Sequence, residues 1–187
     1  MENTSTQTVT NGVNVEALLG ARDMLSTQPE AAKFVWQATS EWVDGTHTKS
    51  SINRFFGLGE QHDRGKDFSI DTDHPEVFAA EDRGATPVEV VLTGLAGCLS
   101  AGIASVAQNR GIQLHSVKAT LQGSMDLQGI LGIDSDVRNG FDGIQVSFDI
   151  DAEATDEEIR AVVAQSQKRS AVFDIITNPT SVAVSVK

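Results

Sequence analysis

The single cysteine, Cys98, is the residue in this sequence best suited to covalent chemistry. A thiolate is a strong nucleophile, but one cysteine can form neither an internal disulfide nor a zinc site built from several thiolates. The residue lies twelve positions beyond Thr86, where a long helix is predicted to begin. The dipole of that helix fades within its first turn and cannot lower the pKa of the thiol. Cys98 is therefore either a small buried apolar residue or a nucleophile that needs a cation from elsewhere in the fold.

Other common catalytic and metal-binding patterns are missing from the sequence. The four histidines have neither i,i+4 spacing nor cysteine neighbours, and we expect surface or hydrogen-bonded roles for them; they are His47, His62, His74 and His115. The glycine-rich phosphate loop, the dinucleotide-binding turn and the nucleophile elbow of hydrolases are also missing. We therefore expect no metal and no cofactor.

The composition is that of a soluble globular protein with strongly acidic charge. The chain has 187 residues and a mass of 19.9 kDa, and its 14 basic against 26 acidic side chains give a net charge of -12. Such a surface repels nucleic acid and anionic membranes, so neither is expected as a partner. The polar start has no secretory signal pattern, which predicts a cytoplasmic protein. We expect residues 1–12 to be a flexible leader and residues 13–187 to form a single domain.

One uncharged stretch, from Val90 to Ala107, is long enough to be considered for a membrane crossing. Its glycine, serine, threonine and alanine residues make it only mildly apolar, whereas a membrane span is richer in large aliphatic residues and has basic flanks. We therefore predict a helix that is buried inside protein, where small residues allow close approach of other elements.

The periodicity of the sequence predicts helices interleaved with antiparallel strands, an α+β fold. Asn14 can cap a first helix that ends before Pro29, and Asp44-Gly45 predicts a hairpin turn between two extended stretches. Residues 57–66 are predicted as a loop and residues 67–71 as a short strand. Capping boxes predict two further helices, the long central one at Thr86-Pro87-Val88-Glu89 and another at Thr155-Asp156-Glu157-Glu158. Strand-like alternation runs through residues 117–121 and 144–150 and returns in the closing valines at 182, 184 and 186.

Three segments together resemble the osmotically inducible protein C (OsmC) and organic hydroperoxide resistance (Ohr) family. They are TPVEVVLTGLAGCLSAGIASVAQNRGI, VRNGFDGIQVSFDIDAEATDEEI and KRSAVFDIITNPTSVAVSV. The opening NGVNVEALL…FVWQATSEWVDGTHTKSSI is similar to an OsmC-like branch with an extra N-terminal helix. The resemblance covers Asn11 to the end of the chain.

The resemblance implies an OsmC-like fold, in which a long central helix packs against largely antiparallel sheet in an intertwined homodimer with active sites at the subunit interface. Peroxidases of this family reduce organic hydroperoxides with a cysteine at the position of Cys98. Attack on the O–O bond leaves a sulfenic acid, which a second cysteine converts to a disulfide that an external dithiol reduces.

The sequence departs from the peroxidase pattern at two positions. Ser170 follows Lys168-Arg169 where the resolving cysteine is expected, and serine cannot form the disulfide. Val88 occupies the position at which the family has a glutamate, and Glu89 lies one residue after that position. Nine positions at about 100° each place Glu89 about half a turn away from Cys98 on a continuous helix, with a rise of about 13 Å. A capping role therefore explains Glu89 better than catalysis does.

The activating cation is also missing from its expected place. In the hydroperoxide-resistance branch an arginine precedes the hairpin turn, and this chain has Val43 there. Arg54, Arg83 and Arg169 are the candidate substitutes from nearby segments, and none of them matches a family position.

These observations leave three hypotheses open. The leading one is a stress-response homodimer with one-cysteine peroxidase activity at Cys98 towards small apolar hydroperoxides, regenerated by an external thiol. The rival is a non-catalytic dimer that binds a small apolar or acyl ligand and in which Cys98 is only packed. The third is redox sensing through a disulfide between the two Cys98 residues of a dimer.

Overall fold

A computed structural model describes residues 9–186, and the chain divides into two compact units. The first unit is Asn14–Val91, and the second comprises the residues before Asn14 together with everything from Leu92 onward. The long central helix begins in the first unit and continues in the second. Each unit is described separately below.

The first unit opens with helix α1, Val15–Thr27. The Asn14 side chain accepts a hydrogen bond of 2.9 Å from the backbone N–H of Ala17, as the sequence predicts for an N-cap. The helix ends before Pro29, also as predicted, and none of its residues is buried.

A four-stranded antiparallel sheet follows, made of β1 (Val35–Trp36), β2 (Thr39–Asp44), β3 (His47–Gly57) and β4 (Glu60–Thr72). Strand β3 pairs with β1 and β2 along one edge and with β4 along the other. The predicted hairpin is confirmed, but its turn is shifted by one residue, because Asp44 pairs with His47 and leaves Gly45 and Thr46 between the strands. Gly45 has a positive φ of 49°.

The predicted loop over residues 57–66 is wrong, whereas the strand predicted over residues 67–71 is confirmed as the second half of a longer strand. Gly57 pairs directly with Glu60, so only Leu58 and Gly59 form the turn, both with positive φ. Strand β4 then runs for 13 residues. Its first half is polar on both sides and shows no alternation in hydropathy, so pairing with β3 determines the strand where the local pattern could not.

The second unit contains most of α2 (Pro87–Arg110), then β5 (Leu114–Ser124), α3 (Leu127–Ile130), β6 (Gly143–Ala152), α4 (Asp156–Arg169) and α5 (Ala171–Thr177). Strands β5 and β6 form a two-stranded antiparallel sheet. Four buried side chains make the core against which partly buried residues of both strands pack: Ile103, Ala107, Ile112 and Val162. The α+β prediction is confirmed.

Helix α4 begins with the predicted capping box. The Glu158 backbone N–H donates to Thr155 Oγ1, and the Glu158 carboxylate accepts from the Thr155 backbone N–H at 2.8 Å. The helix ends at Arg169, and Ser170 starts α5. The last described residues, 179–186, form no strand within this chain, and the three closing valines are 81% to 98% exposed.

The described end of the predicted leader is tied to the turn between α2 and β5. The Asn11 amide donates to the Ile112 carbonyl at 2.7 Å and accepts from the Leu114 N–H at 2.9 Å. The Gln108 amide donates to the Val9 carbonyl and accepts from the Asn11 backbone N–H. The rest of the leader, residues 1–8, lies outside the described residues.

Helix α2 buries one stripe of side chains. Its buried residues are spaced four apart, at Leu95, Leu99, Ile103 and Ala107. The helix is long and apolar enough to cross a membrane by length and composition, a test that core helices of soluble proteins also pass. Within a single chain, the predicted burial of this helix is therefore observed along one of its faces and not around its whole circumference.

Candidate functional site

The Cys98 thiol is partly buried in α2 and contacts the start of α5. The Ser170 hydroxyl donates a hydrogen bond to Cys98 Sγ across 3.1 Å. The backbone N–H groups of Ala171 and Val172 at the start of α5 also help to lower the pKa of the thiol. The sulfur is therefore influenced by one side chain and by the first turn of a neighbouring helix.

These contacts change the acidity of the thiol. Burial raises the pKa of Cys98, but the hydrogen bonds from Ser170, Val172 and Ala171 together outweigh burial, and the pKa is lowered from its ordinary value. Hydrogen bonds to the charged form favour ionisation because they replace hydration that the buried thiolate has lost. The sulfur is thus prepared to ionise by dipoles at the start of α5, which lies outside its own helix.

Ser170 is placed by its own backbone and side-chain bonds. Its N–H donates to the Gln167 carbonyl at the end of α4, and its Oγ accepts from the Phe173 N–H at 3.1 Å as the N-cap of α5. Ser170 is only 5% exposed. One buried serine therefore ends α4, caps α5 and contacts the sulfur.

Close contact between α2 and α4 brings Ser170 to Cys98. The buried Ser166 hydroxyl donates to the Leu99 carbonyl at 2.6 Å. Opposite it, Gly102 leaves room, since a Cβ built there would lie 2.2 Å from Ser166 Oγ. Gly102 thus allows α4 to approach α2 closely. This approach positions the last turn of α4 and the Ser170 that follows it.

Two of the remaining candidate residues, Glu89 and Arg54, have other partners. Glu89 Oε2 accepts from the Thr86 backbone N–H at 2.8 Å, which is the predicted capping contact. The Arg54 guanidinium lies 3.4 Å from Asp63. Arg169 occupies the last turn of α4. Within residues 9–186, no charged side chain contributes to the lowered pKa of Cys98.

Arg83 is held by carboxylates of the first unit. Its guanidinium lies 2.8 Å from Asp44 and 3.2 Å from Glu81, with Asp73 at 3.8 Å. The hydrogen bond to Asp44 is the largest cause of a raised Arg83 pKa. Arg83 therefore stabilises the segment that leads into α2.

Asp73 organises the same segment. It is 1% exposed, and its carboxylate accepts hydrogen bonds from the Thr46 hydroxyl and from the backbone N–H groups of His74 and Arg83. The Thr46 hydrogen bond is the largest cause that lowers its pKa to about 2; burial opposes the shift, and the backbone donors and the charge of Arg83 add to it. Asp73 is thus an ionised structural anchor.

The histidines are held in separate contacts. His47 Nε2 lies 2.8 Å from Asp71, and His62 Nε2 lies 2.9 Å from the Gly57 carbonyl. His115 lies 3.4 Å from Glu153. Among the residues that the structure describes, no cluster of histidine, cysteine and carboxylate side chains is arranged to hold a metal ion.

Sequence reasoning missed the donors at the start of α5. It assigned Ser170 only to the position of the missing sulfur and sought an arginine to activate Cys98. A signal was present, because serine after the basic end of one helix and before an apolar run is a common N-cap. That α5 begins beside Cys98 depends on how α4 packs on α2, and the local sequence does not encode this packing.

Comparison with known proteins gives a family and a fold. The profile of the OsmC-like protein family matches residues 80–185, more than half of the chain. An OsmC-like protein from Mycoplasma pneumoniae is 18% identical, with a TM-score of 0.60 over 76% of this chain and 86% of that one. An organic hydroperoxide resistance protein OsmC from Legionella pneumophila is 19% identical, with a TM-score of 0.54 over 76% and 89%. No curated protein matches.

Proposed function

The chain belongs to the OsmC-like family, and from that premise we propose that this stress-response protein is a one-cysteine thiol peroxidase that reduces organic hydroperoxides at Cys98. The observation that carries the proposal is the hydrogen bond of 3.1 Å from the Ser170 hydroxyl to Cys98 Sγ, at the start of α5. Together with the nearby backbone N–H groups it lowers the pKa of the thiol. The thiolate is the reactive form of cysteine, so a lowered pKa increases the nucleophile present at neutral pH.

The chemistry needs one sulfur and an external thiol. The Cys98 thiolate attacks the terminal oxygen of the hydroperoxide, the O–O bond breaks, and the alkoxide leaves and takes up a proton as an alcohol. The sulfenic acid condenses with an external thiol to a mixed disulfide and releases water. A second external thiol attacks that disulfide, restores the Cys98 thiol and leaves as the oxidised disulfide.

Ser170 gives this cycle its one-cysteine character. Its oxygen lies in hydrogen-bond contact with Cys98 Sγ, where a second sulfur would be close enough to react. A hydroxyl cannot form a disulfide, so the sulfenic acid must wait for an external thiol. The same hydroxyl supports the cycle in another way, because it donates a hydrogen bond to the thiolate before the attack.

The active form that we propose is a cytoplasmic homodimer. Proteins of this family are generally dimeric. In the single chain, α2 buries residues along only one stripe, and the closing valines stay almost fully exposed. Exposed apolar surface of this extent is typical of a protein–protein interface, and a second copy of the chain would cover it.

A turnover assay tests the proposal. Reduced protein is mixed with cumene hydroperoxide and excess dithiothreitol, and loss of peroxide is followed. We expect catalytic turnover by the wild type and none above background by Cys98→Ser. The Ser105→Ala variant is the matched control, because Ser105 lies on the same helix with its hydroxyl bonded to the Ala101 carbonyl. Equal rates for wild type and Cys98→Ser would refute the peroxidase function.

A second candidate, binding of a small apolar or acyl ligand without catalysis, is favoured by a cavity in the second unit. This cavity has a volume of about 520 Å³ and lies between β6 and α4, with Phe148, Ile150, Ile159 and Val163 in its lining. Its size is within the range of small-molecule sites. Native mass spectrometry that detects a co-purified acyl compound, lost in Val163→Asp, would support this function.

A further inference from the structure

One face of the four-stranded sheet in the first unit is lined by polar side chains. Thr39 pairs with Ser51, which pairs with Ser69 on the next strand; in the same way Glu41 pairs with Lys49 and Lys49 with Asp71. Because side chains of directly paired residues share a face and alternate along each strand, all six project from the same side. This set, with Asn53 and Asp67 two residues further along β3 and β4, is called the polar face below.

The polar face has two adjoining cavities. The larger has a volume of about 720 Å³ and is lined by Trp36, Asn53, Arg54 and Asp67 together with Thr39 and Ser51. The smaller, about 250 Å³, shares Thr39 and Ser51 and continues towards Lys49 and Asp71. Since two lining residues are common to both, the cavities form one groove across three strands.

The larger cavity lies where the strand pairing is interrupted. Strand β1 ends at Trp36 and β2 begins at Thr39, so the residues between them pair with no strand. On the other side of β3, the register with β4 shifts between Ile52 and Arg54. Both interruptions meet at Asn53. Irregularities of this kind redirect side chains and are common beside functional sites.

Asn53 is left with an unused acceptor at this point. Its amide nitrogen donates to Asp67 Oδ1, which fixes the orientation of the amide. Its buried Oδ1 then has no hydrogen-bond partner among the described residues. A buried acceptor without a donor is uncommon in folded proteins, and here it marks an irregular point in the wall of the larger cavity.

Trp36 adds a flat apolar surface at the rim of the groove. Its ring lies 5.1 Å from that of Phe55 and 5.7 Å from that of Phe34, yet the residue remains 67% exposed. The neighbouring rings hold the indole in place and leave much of it open. An exposed aromatic ring beside a row of hydroxyl and amide groups is suited to a ligand with one apolar face and many hydroxyls.

The charges select among such ligands. The groove is lined by three carboxylates, Glu41, Asp67 and Asp71, against Lys49 and Arg54, and the whole chain has a net charge of -12. This balance disfavours phosphorylated or sulfated ligands. The hydroxyl-rich lining likewise disfavours a lipid, because it would leave polar groups without partners.

We propose that the polar face binds a neutral oligosaccharide, with one sugar ring stacked on Trp36 and the next ring hydrogen-bonded across Thr39 and Ser51. The proposal concerns only the first unit and stands apart from the chemistry of Cys98. An oligosaccharide fits better than a single sugar because the groove continues beyond the larger cavity.

The two tryptophans of the chain allow a direct test. Trp42 pairs with Thr48, one position out of phase with the polar face, so it projects from the opposite side of the sheet. In Trp42→Phe the fluorescence comes from Trp36 alone. Titration of this variant with maltotriose, cellotriose and chitotriose should give a saturable change for at least one of them. No saturable change with any of the three overturns the proposal.

Calorimetry with the trisaccharide that binds then locates the site. We expect Trp36→Ala to weaken binding on the order of tenfold through loss of stacking, and Asn53→Ala to weaken it as well. Trp42→Ala and Ser40→Ala, on the opposite side of the sheet, should bind like the wild type. Binding that survives Trp36→Ala unchanged would place the ligand elsewhere and contradict the proposal.

Discussion

The Ser170 hydroxyl donates a hydrogen bond to Cys98 Sγ over 3.1 Å while its oxygen accepts one from the Phe173 N–H, so a single serine joins the sulfur to the first turn of α5. Among the described residues, no charged side chain contributes to the lowered pKa of the thiol, so hydrogen bonds alone stabilise its charged form. Neutral donors at the start of a helix can favour a thiolate because their dipoles point at it.

Ser170→Ala should reduce the reactivity of Cys98. The variant loses the hydroxyl donor to the sulfur and raises the thiol pKa, so alkylation by iodoacetamide at pH 6 should slow roughly threefold to tenfold. The variant also loses a helix cap, which costs about 1 kcal/mol of unfolding free energy.

Thr155→Ala separates those two effects. It removes the N-cap of α4 and should cost a similar free energy, about 1 kcal/mol, without touching the sulfur. We expect its Cys98 to react like that of the wild type. If both variants slow alkylation equally, the effect arises from stability and the assigned role of Ser170 is wrong.

Ser170→Cys should convert the protein to a two-cysteine peroxidase. The replaced oxygen already lies 3.1 Å from Cys98 Sγ, so a sulfur there is close enough to attack the sulfenic acid with a small adjustment. After one equivalent of cumene hydroperoxide we expect both thiols to disappear in a thiol titration. Ser105→Cys is the control, because it also adds a thiol but at a position on α2 where the native hydroxyl donates to the Ala101 carbonyl and not to Cys98. One thiol should survive the peroxide treatment in that variant.

The sequence predicts much of the local structure and little of the site. Asn14, Asp44-Gly45 and the capping box at Thr155 mark their elements correctly because each acts through neighbouring backbone groups. The sequence predicts only residues 67–71 of strand β4, because its polar first half is determined by pairing with β3. The activation of Cys98 was sought in an arginine, whereas the contact with Ser170 joins residues 72 positions apart and depends on how α4 packs on α2.

Asp73 should contribute a pH-dependent part of the stability. Hydrogen bonding to Thr46 is the main cause that lowers its pKa from 3.8 to about 2, so the carboxylate stabilises the fold fully above pH 3.8 and loses that contribution as the pH falls through 2. Asp73→Asn should therefore be less stable than wild type at pH 6, by a margin that narrows towards pH 2. Urea unfolding of both proteins at several pH values measures this margin, and a margin that stays constant down to pH 2 would contradict the assigned role of Asp73.

Gly102→Ala should loosen the contact between α2 and α4. The added Cβ would lie 2.2 Å from Ser166 Oγ, forcing that buried hydroxyl from the Leu99 carbonyl at a cost of about 1 to 3 kcal/mol. Urea unfolding should show this loss, and adding Ser166→Ala should recover part of it. Gly20→Ala, on α1 with open space around it, should instead stabilise by about 0.5 to 1 kcal/mol. A stability unchanged by Gly102→Ala would show that the helices do not approach as closely as described.

The reaction of the reduced protein with one equivalent of cumene hydroperoxide, followed by stopped flow between pH 5 and 9, tests the peroxidase account most directly. The account predicts a fast phase that consumes one peroxide per Cys98, is missing in Cys98→Ser, and gains amplitude or rate at a pH below that at which an ordinary thiol ionises. Peroxide consumption that proceeds no faster in the wild type than in Cys98→Ser at every pH would contradict it.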